Sequence, residues 1–234
     1  MIHPRTRRQM LRDLTGAGVG AASIGLVGRD LLDPDDEVAD AAAPSCTLTP
    51  EVTQGPYYLD LDKVRRNITE GKHGLRLDLR LKVVDASTCK AIEDAAVEIW
   101  HCDAGGTYSG FSQEGTAGKT YLRGTQLTDA KGVAQLRTIY PGWYQGRAIH
   151  IHMKVHVGGH TVHTGQLFLN DSVSDRVVRL SPYSSHRGTR LRNKADQIYR
   201  QAGGSGALLR LRRRKASAFR KGLLGTITVG IDQS

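Results

Sequence analysis

Leu75, Leu77, Leu79, Leu81 and Val83 alternate with Arg76, Asp78, Arg80 and Lys82, an apolar/polar period of two over nine positions. Side chains alternate between faces of a strand, so this segment predicts a β-strand buried on one side. Ala95–Cys102 and Gly132–Ile139 read as further strands. Ala148–Val157 and Thr161–Leu169 flank Gly158-Gly159, a hairpin turn signal. Asp129-Ala-Lys-Gly132 predicts another tight turn, and Ser181–Arg200 a loop and short helix laid over the strands. Short strands separated by turns imply an all-β fold: a β-sandwich with irregular loops and little helix. No internal repeat, heptad pattern or low-complexity tract interrupts it.

The front of the chain is different. Thr6-Arg7-Arg8-Gln9-Met10-Leu11-Arg12 precedes an uncharged Gly/Ala-rich run from Leu14 to Gly28, then an acidic stretch from Asp33 to Asp40. A basic start and a short apolar segment make an export signal, too short and glycine-rich to span a bilayer comfortably. The paired arginines resemble a twin-arginine signal, which carries folded proteins across a membrane. Residues 1–43 are therefore assigned to signal and linker. Residues 44–234 are enough for one domain with a proper core. Localisation would be extracellular or cell-surface. In such a compartment Cys46, Cys89 and Cys102 predict one disulfide and one cysteine left over, the pairing open.

Charge is unevenly spread. The chain carries a formal +10, and residues 176–221 hold fourteen Lys and Arg against one acid, Asp196. A basic run can meet nucleic acid, an anionic polymer or a membrane surface. For an exported protein nucleic acid is not expected; the run reads first as a solvated surface, with an anionic or cell-wall polymer as the partner it could meet.

The chemistry concentrates in Tyr144-Gln-Gly-Arg147-Ala-Ile-His150-Ile-His152. His150 and His152 alternate with Ile149, Ile151 and Met153, so both imidazoles should leave the same face of one strand. Tyr108 and Tyr144, at the ends of neighbouring elements, can complete a shell of two phenolates and two imidazoles. A free phenol, with a pKa of about 10, is a poor ligand until a strong cation stabilises its anion. Hard oxygens with imidazoles favour ferric iron over zinc. Arg147 is three residues before His150, which strand parity would put on the opposite face unless Gly146 bends the chain.

Taken together, Gln54-Gly-Pro-Tyr-Tyr58, Trp100-His-Cys-Asp-Ala-Gly-Gly-Thr-Tyr-Ser109, Thr138-Ile-Tyr-Pro-Gly-Trp-Tyr144, Arg147-Ala-Ile-His-Ile-His152 and Thr164-Gly-Gln166 resemble the intradiol ring-cleavage dioxygenases, in that family's order. The resemblance runs from about Leu48 to Leu169, and it is nearest to the short exported members that act on catechols from plant aromatic matter. It implies a β-sandwich with non-haem Fe(III) at its end, held by Tyr108, Tyr144, His150 and His152. The activity implied is opening of catechol-type rings with O2 to cis,cis-muconate-type diacids. Tyr144 would be the phenolate displaced by substrate. Arg147 would stabilise the carbanion-like substrate, Gln166 would orient Arg147 or substrate, and Pro56 and Tyr57 would close over the ring. Trp100, Trp143, Tyr58 and Tyr140 would be packing residues, and His156, His160 and His163 solvated positions of the hairpin.

Only five residues separate Tyr144 from His150, where the catechol and protocatechuate enzymes have more. Their substrate-sorting residues have no secure counterpart here, nor does the helical dimerisation stretch of the catechol enzymes. A monomer with an open pocket is expected. Two other classes fit parts of the pattern. One is a non-catalytic exported β-sandwich binding module. The other is a zinc hydrolase built on the histidines from His150 to His163, although Glu and Asp are absent from residues 131–170.

Overall fold

The computed structural model describes residues 47–215 and 218–232; the export signature, the acidic linker and Cys46 lie outside them. The strands are β1 (Arg76–Asp85), β2 (Ala96–Trp100), β3 (Arg123–Leu127), β4 (Val133–Ile139), β5 (His150–Val157), β6 (His160–Phe168), β7 (Arg210–Arg213) and β8 (Leu223–Ile231). They form two four-stranded sheets, in the orders β4-β1-β8-β7 and β3-β2-β5-β6. Among these described strands only the β1–β8 pair is parallel, with Leu77 beside Leu223 and Leu81 beside Ile227.

The alternation in β1 survives intact. Leu77, Leu79, Leu81 and Val83 are buried against Val97, Ile99, Ile151, Met153, Val155 and Leu167 of the second sheet. Fully burying each such side chain is worth about 1.5–3 kcal/mol relative to exposure, and this layer is what holds the sandwich shut. The Gly158-Gly159 turn links β5 to β6 with both residues at positive φ, a conformation glycine adopts without a Cβ penalty. Asp129 organises its turn as expected: its side chain accepts from the amides of Lys131 and Val133.

Three strands escape the sequence pattern. β3 is Arg-Gly-Thr-Gln-Leu, with no apolar alternation, and exists through its pairing with β2. β7 is a cationic edge strand, held by β8. β8 carries no clean apolar period of its own and is held between β1 and β7.

Two short helices follow β6. α1 (Asp171–Val177) starts at Asn170, whose side chain accepts from the Ser172 amide. α2 (Gln197–Gln201) starts at Asp196, which accepts from the amides of Ile198 and Tyr199. The predicted covering layer is thus present: Tyr199 meets Phe168 edge-on, with centroids 5.2 Å apart.

β5 departs from the expected one-sided strand. Its core face is apolar, but its histidine face is covered too, so His156 is as buried as His150 and His152. His156 sits 3.2 Å from Glu98 of β2 and 3.0 Å from Thr161, and His163 on β6 is also buried; only His160 is exposed as expected. Overlying chain makes the difference, and a strand pattern does not report it. Cys89 is disulfide-bonded, and Cys102 is the free, buried thiol.

Candidate metal centre

His150 opens β5 and His152 follows two positions later, so both rings project from the sheet face opposite the sandwich core. The register sets Trp100 on one side of His152 and Gln166 on the other. Trp100 stacks flat on the His152 ring, with centroids 5.0 Å apart and planes within 5°. Above the ring passes Gly55, at φ +70°. A Cβ there would stand 3.1 Å from His152 Cε1, so glycine both allows the turn and makes room for the imidazole.

Tyr108 comes from the loop after β2. Asp103 folds that loop by accepting from the amides of Gly105 and Thr107, and Thr116 donates its hydroxyl to the Tyr108 carbonyl. Tyr144 and Arg147 lie in a turn before β5, closed by the Arg147 amide on the Tyr144 carbonyl, with Gly146 at φ +82°. The strand begins only at His150, so parity never applied to Arg147, and the bend at Gly146 turns its guanidinium into the site.

The four proposed donors converge. Tyr144 Oη is 3.2 Å from His150 Nε2, which is 3.1 Å from His152 Nε2, which is 3.1 Å from Tyr108 Oη. His150 Nδ1 is 2.7 Å from the Ala148 carbonyl and must donate its proton there, which leaves the Nε2 lone pair facing the other three atoms. Separations near 3.1 Å are those of neighbouring ligands on an ion bound at about 2.0–2.2 Å.

Burial sets the protonation of the pocket. Burial pushes the Tyr108 phenol well above its ordinary value. Burial also carries Tyr144 up to about 12, against the pull of the Arg147 charge. Burial and Arg147 together hold His150 down to about 3, and His152 falls well below the usual histidine range for the same first reason. Both phenols and both imidazoles are therefore neutral at pH 7, with the His150 Nε2 lone pair turned toward the other three atoms. Two phenolates there would need a strong positive charge between them. The donor set fits a hard, highly charged ion. It fits zinc poorly, whose usual protein ligands are Cys, His and carboxylate.

Arg147 is fixed from three sides. Its Nε donates to Asp196 at 2.9 Å, one Nη donates to Gln166 Oε1 at 2.5 Å, and the other points at Tyr144 Oη at 3.3 Å and His150 Nε2 at 3.4 Å. Gln166 passes the restraint on, donating to the Thr53 carbonyl at 2.9 Å. Tyr57 lies flat on Tyr108, with centroids 4.1 Å apart, and donates its hydroxyl to Glu114. Pro56 is exposed at the turn that carries Gly55 and Tyr57, so the ring that covers the site is that of Tyr57. The hairpin histidines make no comparable cluster: among the described residues, no three His, Cys, Asp or Glu side chains are grouped to hold a metal.

Residues 52–180 match the family model described as "Dioxygenase". Among solved structures the chain resembles the intradiol ring-cleavage dioxygenase from Tetranychus urticae, at 34% identity and a TM-score of 0.75, over 80% of this chain and 95% of that one. The chain belongs to the intradiol ring-cleavage dioxygenase family. It is also 26% identical to the dioxygenase domain of a dioxygenase carbohydrate-binding protein fusion from Streptomyces sp. SirexAA-E, with a TM-score of 0.61 over 80% of this chain and 99% of that one. Against the catechol 1,2-dioxygenase of Acinetobacter baylyi it is 29% identical over 171 residues, 63% of this chain. That match spans 55% of the Acinetobacter protein's own length.

Two residues of this intradiol dioxygenase-family site were missed by sequence reasoning. Asp196 lies beyond the span of the family model, yet its buried carboxylate grips Arg147, the Ala148 amide and the start of α2. These contacts keep its carboxyl below the ordinary range despite the burial that opposes ionisation. Its signal was visible only as the lone acid in a basic run. Arg123 opens β3 and is 3% exposed; it donates to the Tyr57 carbonyl, the Ser109 carbonyl and the Ser109 hydroxyl, tying together the segments that present Tyr57 and Tyr108. Burial brings its pKa down to about 10, still fully charged at neutral pH. Nothing in a strand lacking alternation marks it.

Proposed function

We propose that this protein is a non-haem ferric dioxygenase that opens catechol-type rings between the two hydroxyl-bearing carbons, using O2 and yielding a cis,cis-muconate-type diacid. The observation that carries the reading is the convergence of Tyr108, Tyr144, His150 and His152 on one point, with the His150 Nε2 lone pair facing the other three donors. The names of the relatives support the substrate class: catechol and chlorocatechol 1,2-dioxygenases.

Ferric iron held by these four residues would supply Lewis-acid activation of a chelated catechol and a path for its electrons to O2. The rest is the work of the chain. Tyr144 is partly exposed while Tyr108 is 1% exposed, so Tyr144 is the phenolate free to swing out and take a catechol proton on its Oη. Arg147, pinned by Asp196 and Gln166, sets a fixed positive charge beside the reacting ring, where negative charge develops. Tyr57 forms an apolar wall that orients the ring and excludes water.

The N-terminal signature adds a location to the proposal: export after folding, hence with metal already bound. A monomer acting outside the cell is the corresponding form.

Tyrosinate-to-iron charge transfer should colour the purified protein red-brown. Tyr108→Phe and His152→Ala should bleach that absorption and abolish diacid formation from catechol, protocatechuate and hydroxyquinol. Colour and turnover retained in both variants would sink the site assignment. A colourless, iron-free protein that still binds catechols would mark a binding module instead.

A further inference from the structure

Most arginines of the basic C-terminal run are already engaged by other groups. Arg190 pairs with Asp171 and Asp175, Arg192 with Asp175, Arg200 with the Lys194 carbonyl, and Arg176 lies over the Phe219 ring. Arg210 and Arg212 stand apart on β7, where the fold brings them beside cations that sequence placed more than a hundred residues away.

Strand register lays this out on the outward face of the first sheet. One row across the strands reads Arg137, Asp78, Leu224, Arg212; the next reads Gln135, Arg80, Thr226, Arg210; a third holds Lys82 and Thr228. Arg80, Arg137, Arg210 and Arg212 are exposed, and Asp78, the one acid in these rows, is shared among Arg76, Arg137 and Arg214. Adjacent strands stand about 4.8 Å apart and alternate residues about 6.8 Å apart along a strand. Arg80, Lys82, Arg210 and Arg212 therefore sit within roughly 7–10 Å of their neighbours, close to the Debye length of about 8 Å at physiological salt. Their mutual repulsion is only partly screened and only partly offset: Asp78 is shared among Arg76, Arg137 and Arg214, and Asp129, in the turn before β4, acts on Arg80. A solvated sheet face ordinarily mixes both signs.

We propose that this face docks a linear polymer bearing one carboxylate per ring, a polyuronate. Its charges would lie along the rows of guanidinium groups, and the Thr226, Thr228 and Gln135 side chains between them can hydrogen-bond sugar hydroxyls. No aromatic residue occupies these rows to stack a base, which favours the polyuronate over a single-stranded nucleic acid. The docking face belongs to the first sheet and the metal centre to the far side of the second, so a bound polymer would leave the catalytic mouth open.

The test measures binding of the full chain to polygalacturonate at low and high salt. Fully methyl-esterified polymer and duplex DNA serve as comparators. Binding should be retained at low salt and lost at high salt, and it should weaken at least tenfold in Arg80→Ser/Arg210→Ser/Arg212→Ser. It should change less than twofold in Arg179→Ser/Arg187→Ser/Arg200→Ser, which removes the same charge elsewhere. Arg80→Ser alone, expected to cost about threefold, decides the matter should the first triple variant fail to fold. Equal losses in the two triples, equal affinity for the methyl ester, tighter binding of DNA, or no binding to polygalacturonate would each overturn the proposal.

Discussion

Arg147 isolates orientation from charge. Arg147→Lys keeps a cation in the pocket but cannot bridge Asp196 and Gln166 while still reaching Tyr144. Losing one fixed donor beside developing charge costs on the order of 3 kcal/mol, so kcat should fall about a hundredfold with little change in the visible spectrum. Steady-state kinetics beside an absorption spectrum will show it, and an unchanged kcat would remove Arg147 from the chemistry. Gly55→Ala tests the roof of the site in another way. The new methyl meets the His152 ring and forces a strained backbone, so both the melting temperature and the charge-transfer band should shift. At this scale the donors were legible because two histidines two positions apart in a strand share a face whatever the fold does. The direction of Arg147 was not, because it depends on where the strand begins rather than on spacing.

Asp196 joins two elements, the start of α2 and the turn that aims Arg147. Asp196→Ala removes a helix cap, worth about 1 kcal/mol, and strands a guanidinium that is mostly buried. We expect a lower melting temperature and a drop in kcat/KM of tenfold or more. In an Arg147→Ala background the kinetic drop should vanish while the stability loss persists, a separation a merely structural aspartate would not give. Strands with a clean period, β1 and the β5–β6 hairpin, could be read directly. β3 and β7 could not, because their partners rather than their side chains make them strands. Asp196 stayed hidden for a related reason: the contact spans 49 positions, and no local pattern encodes a long-range ion pair.

Acid should loosen the whole molecule before its carboxylates protonate. His101 is fully buried between the Cys102 carbonyl and the Thr138 hydroxyl, and burial lowers its pKa to about 4. Unfolded chain accepts a proton near pH 6.5, whereas the folded state refuses it until about pH 4. Stability therefore falls as pH drops through that window, by roughly 3 kcal/mol at its end. Chemical denaturation between pH 7 and pH 5 should show the slope, and His101→Asn should reduce it by one proton's share, the buried His150 and His152 supplying the rest; the same slope in both would exclude His101 as a cause. The sandwich class was evident from alternation alone, but the arrangement of its sheets was not, since nothing local tells β8 to lie between β1 and β7. That arrangement governs biosynthesis. β1 emerges from the ribosome early and must wait for the ninth residue of β8, Ile231, before its parallel edge is filled. Half of the sandwich can close only after nearly the whole domain has been translated, so a nascent chain stalled before Leu223 would expose an open, aggregation-prone strand to the chaperones of the cell that makes it.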